Sequence, residues 1–208
     1  EDWDPAFSPD GKHMLWSSNR SGAMEIRQAN ADGSRARQVT QDGVDAENPT
    51  QTRDAQWIVY TSGNPKHPGV WKIHPDGTGA TALVNGTNTN LPEVSPDGQW
   101  VLYNRTEDNG NATLSVASVK DGVEAFQTTV ELRRKSPSAL GRGRWTPDGR
   151  QVIFTGQNDQ ALDGVFIQDF VPGQDTLKTR KPLAGFDPDW VTESLGLSLD
   201  GTRLVLSE

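Results

Sequence analysis

The sequence predicts an all-β protein, a β-propeller of four-stranded antiparallel blades, with about four and a half blades present in the chain. Three observations predict it. A turn motif recurs: Ser8-Pro9-Asp10-Gly11 returns as Ser95-Pro96-Asp97-Gly98 and as Thr146-Pro147-Asp148-Gly149, with degenerate copies Thr52-Arg53-Asp54-Ala55 and Ser198-Leu199-Asp200-Gly201. The copies are spaced by roughly 40–50 residues, the period of a propeller blade. After every turn comes a short apolar run: Met14-Leu15-Trp16, Ile58-Val59-Tyr60, Val101-Leu102-Tyr103, Val152-Ile153-Phe154 and Leu204-Val205-Leu206. Continuous apolar runs bounded by turns suit strands buried on both faces.

The first blade, 1–43, places its turn at Asp10 and Gly11, a third strand over Met24 to Arg27, a second turn at Asn30-Ala31-Asp32-Gly33 and a polar fourth strand over Arg37 to Thr40. Blade two, 44–87, repeats this around Asp54, with a third strand over Val70 to Ile73, a turn at His74-Pro75-Asp76-Gly77 and a fourth strand over Thr81 to Val84. In blade three, 88–138, the turn is Asp97-Gly98 and the third strand runs over Thr113 to Val116; blade four, 139–185, has Asp148-Gly149 and Val165 to Gln168. Both are longer, with the added residues assigned to the loops Glu107 to Asn111, Glu131 to Arg142 and Gln157 to Asp163. The last copy, 186–208, has its turn at Asp200-Gly201 and supplies two strands, so the chain is expected to be one part of a larger propeller. A polar outermost strand fits a blade whose edge faces water. In the turns, proline pre-sets φ, aspartate bonds the backbone two residues on and glycine accepts φ > 0, so these aspartates read as hairpin staples.

Composition narrows the function. With 20 Lys plus Arg against 28 Asp plus Glu, the net charge is -8, which disfavours a nucleic-acid partner. There is no cysteine, hence no disulfide and no thiolate metal site. No apolar stretch is long enough to span a membrane, and the opening residues Glu1-Asp2-Trp3-Asp4 read as folded domain rather than as a signal peptide. Seven tryptophans offset a modest apolar content of 33%.

No chemistry-bearing motif stands out. The chain has no G-x-S-x-G nucleophile elbow. Gly141-Arg142-Gly143-Arg144 lacks the Lys-Ser/Thr of a phosphate loop. Glu107 to Asn111 lacks the alternating ligands of a calcium loop. His67 and His74 have no third metal ligand in view. No cofactor, metal or catalytic residue is therefore expected.

The stretch Asp4-Pro5-Ala6-Phe7-Ser8-Pro9-Asp10-Gly11-Lys12, continued by Ser17-Ser18-Asn19-Arg20-Ser21-Gly22, Glu25-Ile26 and Asn30-Ala31-Asp32-Gly33-Ser34, resembles the WD-like repeat of TolB-type propellers. Copy two departs from that pattern at Arg53 and Ala55. The resemblance implies a propeller of a bacterial periplasmic, secreted or membrane-anchored protein, acting as a protein- or ligand-binding or sensory module. It also implies an alternative, the gating propeller of a prolyl-oligopeptidase-like peptidase or a propeller lyase. Val165 to Asp175 resembles the C-terminal propeller of multidomain bacterial proteins.

First strands line a propeller's channel, and the residues that open them ring one mouth, a concave place for a ligand. These include Trp3, Asp4, Asn48, Glu93, Arg142, Arg144, Trp190 and Glu193. Glu93 and Arg144 hold equivalent places in adjacent blades, four residues before the turn aspartate, where a salt bridge can form. Two readings compete. Asp4, Glu93, Arg142 and Arg144 form a self-paired polar lining, or Trp3, Trp190, Arg142, Arg144 and Glu193 form a rim that grips a peptide through aromatic and arginine anchors. A second surface, Arg133, Arg134 and Lys135 with Lys178, Arg180 and Lys181, reads as a docking patch or as solvated loop and edge charges.

Overall fold

Each apolar run becomes the second strand of a meandering sheet, and its period fixes which neighbour each side chain meets. The computed structural model describes residues 1–41, 43–106, 112–130, 141–187 and 194–207. The first sheet comprises β1 (Asp2–Phe7), β2 (His13–Ser18), β3 (Glu25–Asn30) and β4 (Arg37–Gln38). The second holds β5 (Ala46–Gln51), β6 (Ile58–Ser62), β7 (Gly69–Ile73) and β8 (Thr81–Asn85). β9 (Thr89–Val94), β10 (Trp100–Thr106), β11 (Ala112–Ser118) and β12 (Glu124–Val130) make the third. β13 (Arg144–Trp145), β14 (Gln151–Gln157), β15 (Asp163–Asp169) and β16 (Lys181–Gly185) make the fourth. A two-stranded sheet, β17 (Ser194–Leu197) with β18 (Leu204–Ser207), follows. Pairing is antiparallel between successive strands in every sheet, so each is a blade built from local hairpins.

The turns are held by one repeated network. Ser8 Oγ donates to Asp10 Oδ1 at 2.6 Å, the Lys12 amide donates to the same oxygen at 3.0 Å, and the His13 amide donates to Ser8 Oγ at 2.9 Å. Degenerate copy two keeps all three bonds through Thr52, Asp54, Gln56 and Trp57. Ala55 there takes φ 58°, the left-handed conformation that glycine occupies in the other copies.

The core lies between blades. In the first four repeats the residue five places after the turn aspartate faces the following blade, and in the last four those at four and six face the preceding one. Leu15 packs with Ile58 and Tyr60, Val59 with Val101 and Tyr103, Leu102 with Val152 and Phe154, and Ile153 with Leu204 and Leu206. Burying a side chain of this size contributes about 1.5–3 kcal/mol, so the four layers carry the fold. Among the described residues no helix is long and apolar enough to cross a membrane.

Candidate functional site

The first strands of three blades are bent at the same place. Register slips between Trp3 and Ala6, between Glu47 and Thr50, and opposite Leu102 to Asn104. Asp4, Asn48 and Leu91, each six residues before its turn aspartate and each followed by proline, take φ 53°, 56° and 54°. Left-handed φ is uncommon for residues other than glycine, and a bulge of this kind re-aims side chains at a sheet's rim. Arg142 holds the equivalent position in the fourth blade.

Arg142, Arg144 and Glu93 meet at this rim. Arg144 pairs with Glu93 Oε2 at 2.9 Å, and Arg142 lies 3.6 Å from the same oxygen. Arg144 also donates from Nε to the Leu195 carbonyl at 3.2 Å, and Trp145 Nε1 donates to the Glu93 carbonyl at 3.0 Å. Arg142 reaches past the third blade toward the Pro49 carbonyl of the second, at 3.5 Å. Burial pushes the Arg142 guanidinium below its ordinary pKa, Glu93 and Asp4 counter that shift, and Arg144 adds to it. Gly143 lets both arginines flank the core: a Cβ there would lie 2.6 Å from Leu102 Cδ2. This cluster joins the third, fourth and fifth repeats and satisfies itself.

Beside it, between blades two and three, opens a cavity of 260 Å³ walled by Asp45, Glu47, Asn48, Thr61, Thr89 and Asn90 among others. Asn48 is buried; its amide donates to Ser17 Oγ at 3.2 Å, and its Oδ1 accepts from Thr61 Oγ1 at 3.2 Å. Glu47 is half-buried, and burial, then the nearby charges of Asp4 and Asp45, push its carboxyl pKa up. The sequence places Glu47 and Asn90 among the residues that open the first strands at the mouth but not among its ligand-binding candidates. Their signal is their place beside the left-handed residue of each bulge, and this becomes visible only once the bulge is known.

The remaining candidates fall elsewhere. Trp3 is exposed on β1, and Asp4 makes no ion pair with the described residues, although its charge reaches Glu47 and Arg142. Trp190 and Glu193 lie outside the described residues, as do Arg133, Arg134, Lys135 and the loop 107–111. Arg180, half-buried, donates to Gln168 Oε1, Thr128 Oγ1 and the Thr129 carbonyl and lies over the Phe154 ring, clamping blade four to blade three. The guanidinium holds three acceptors at once, which the sequence alone does not reveal. His74 stacks on Trp57 with centroids 3.8 Å apart. Among the described residues no three His, Cys, Asp or Glu side chains could hold a metal.

Four-stranded antiparallel blades joined through apolar layers, with a polar mouth at the bulged first strands, define a β-propeller. The family model for the TolB beta propeller domain matches residues 1–139, and the chain belongs to that family. The fold is similar to that of TolB from Acinetobacter baumannii, at 21% identity over 88% of this chain and 44% of that one, with a TM-score of 0.68. It is similar to a putative TolB from Agrobacterium tumefaciens, at 16% identity over 99% and 69%, with a TM-score of 0.72. A puromycin-hydrolyzing peptidase of Mycobacterium tuberculosis also matches, at 18% identity over 93% and 31%, with a TM-score of 0.60. This chain therefore spans less than half the length of the first of these proteins and of the peptidase. At such identities the likeness is one of fold.

Proposed function

We propose that this chain is a non-catalytic binding module of an extracytoplasmic bacterial protein, and that a protein or peptide partner seats at the mouth formed by the bulged first strands. One observation carries the reading. The arginines at the mouth are already committed to Glu93 and to backbone carbonyls, whereas the adjacent cavity presents carboxylate, amide and hydroxyl groups toward open space. The paired cluster is a strut that shapes the mouth, and the cavity beside it is where recognition occurs. Membership of the TolB beta propeller domain family supports the binding reading. The five repeats, on this reading, are an arc of a larger propeller.

The test is selection of peptides from a displayed library against the folded chain, followed by titration of the selected peptides. Expected is binding that weakens when Asn90→Ala or Glu47→Gln is introduced and is unaffected by Lys12→Ala, which lies on a turn away from the mouth. Peptides whose affinity ignores the first two substitutions would remove the site. The likeness to a peptidase propeller favours a second reading, a gating propeller. It predicts that the full-length protein cleaves peptides and that mouth substitutions change which lengths are admitted.

A further inference from the structure

We infer that Arg142, which lies outside the cavity wall, is a positioning residue for the cavity: through the Pro49 carbonyl it fixes the bulge at Asn48, which belongs to that wall. This rests on the binding reading above and adds the residue that sets the shape of the site from two blades away. Asn48 is buried with φ 56°, a conformation that a residue with a side chain keeps only where its surroundings over-determine it. Three ties do so. The Asn48 amide donates to Ser17 Oγ of blade one at 3.2 Å, and its Oδ1 accepts from Thr61 Oγ1 of its own blade at 3.2 Å. The third tie is on the next residue: the Pro49 carbonyl accepts from Arg142 Nη1 of blade four at 3.5 Å. Proline has no N–H, so the carbonyl is the one backbone group by which a neighbour can hold it.

Arg142 can act at that distance because it is anchored at both ends. At its root, the Gly141 carbonyl accepts from Asn104 Nδ2 of blade three at 3.0 Å. Gly143 stands so close to the same blade that a Cβ would lie 2.6 Å from Leu102 Cδ2 and 3.2 Å from Leu114 Cδ1. At its head, the guanidinium lies 3.6 Å from Glu93 Oε2, and the side chain is only 13% exposed. The charge of Asp4, from blade one, favours the guanidinium there as well. A guanidinium presents five N–H donors in a fixed fork, so one side chain faces Glu93 and the Pro49 carbonyl together. A lysine ammonium is a single point charge without that fork. Pairing with Glu93 alone would make Arg142 a stabiliser of the joint between blades three and four; the bond to Pro49 extends its effect to the cavity between blades two and three.

The experiment compares Arg142→Lys and Arg142→Met with the unsubstituted 208-residue chain in three readouts: the melting temperature, the affinity for a selected peptide, and the NMR signal of the Asn48 side-chain amide without peptide. Lysine keeps a cation beside Glu93 but gives up the fork; methionine keeps only the stem. Arg142→Lys is expected to retain more of the melting temperature than Arg142→Met. Both should nonetheless weaken the peptide roughly 2- to 30-fold and shift the Asn48 signal. Ser198→Ala, which loosens the turn of the last repeat, should lower the melting temperature and leave affinity and signal unchanged. An Asn48 signal unmoved in both variants overturns the inference. So does an affinity that Arg142→Lys leaves intact, or one that merely follows the melting temperature, Ser198→Ala included. Should Arg142→Met not fold, the lysine variant decides alone. A chain that selects no peptide at the mouth removes the binding reading, and the Asn48 signal then still reports whether Arg142 holds the bulge.

Discussion

Glu93 serves two guanidiniums with one carboxylate, and its removal leaves Arg142 and Arg144 facing each other in a half-buried rim. The loss is that of charge-assisted hydrogen bonds plus an unpaired charge, about 1.5–3 kcal/mol. For a chain of this size Glu93→Ala should therefore lower Tm by roughly 3–12 °C, read by circular dichroism. Replacing Glu93 and Arg144 together should cost less than the sum of the single changes, because the second removes a charge the first orphaned. The turn aspartates make a separate prediction. Hydroxyl bonds from Ser8, Thr146 and Ser198, then backbone amides, hold Asp10 and Asp148 below the ordinary carboxylate range and Asp200 at about 2. A carboxylate with a depressed folded pKa stabilises above its unfolded value and loses that contribution as pH falls through the folded value. Stability should thus decline from about pH 4 toward pH 2, with Glu47 acting in the opposite sense because its folded pKa is raised. A denaturation midpoint unchanged between those pH values would show that the turns do not couple to the fold.

Strands and turns were legible because each repeat writes the same instructions, a Pro-Asp-Gly turn and then an apolar triplet. Polar and close-packed contacts between blades were less so, since, unlike the apolar layers, they join residues far apart in sequence that follow no repeat. Lys72 is one example: it is 8% exposed, and its ammonium donates to the Val119 and Lys120 carbonyls of blade three at 2.7 and 2.8 Å and lies 4.5 Å from the Trp57 ring. Gly122 is another, for its φ is 75° and a Cβ would stand 2.0 Å from the Leu83 carbonyl oxygen of blade two. The mouth has the same character. Counting back from each turn aspartate located Glu93 and Arg144, yet the bulges beside Glu47 and Asn90 depend on strand register, which no local pattern states. Gly122→Ala must move backbone of a neighbouring blade, and a destabilisation of about 2 kcal/mol or more is expected from strain and overpacking together. Lys72→Met retains the stem over Trp57 but leaves two carbonyls without their donor, and a loss of about 1–3 kcal/mol is expected. Both are read as shifts in urea midpoint. The lysine variant should retain the unfolding slope, which reports the surface exposed.

At the scale of the whole molecule, the repeat identifies two surfaces that are out of place. The residue five after the turn aspartate is buried in four repeats, at Leu15, Val59, Leu102 and Ile153, while Val205 in the fifth is 69% exposed. Three before the turn aspartate, Gln51 and Trp145 are buried and Val94 and Leu197 half-buried, while Phe7 is 65% exposed. Phe7 pairs across the sheet with Met14, the residue four after its turn, so it lies on the flank that in every later repeat meets a preceding blade. Val205 lies on the flank that in every earlier repeat meets a following one. The two surfaces are therefore the complementary halves of one blade-to-blade layer. An exposed apolar flank with a preformed complement tends to find it, and a head-to-tail contact of this kind either closes a ring or propagates. In solution at micromolar concentration the 208-residue chain is expected to associate, with an average mass by light scattering that rises with concentration. Val205→Glu and Phe7→Glu should each return it to a monomer without lowering the melting temperature, because neither side chain is packed within the chain. A monomer at all concentrations, or association indifferent to both substitutions, would mean that these flanks do not seat a further blade and that the arc reading fails.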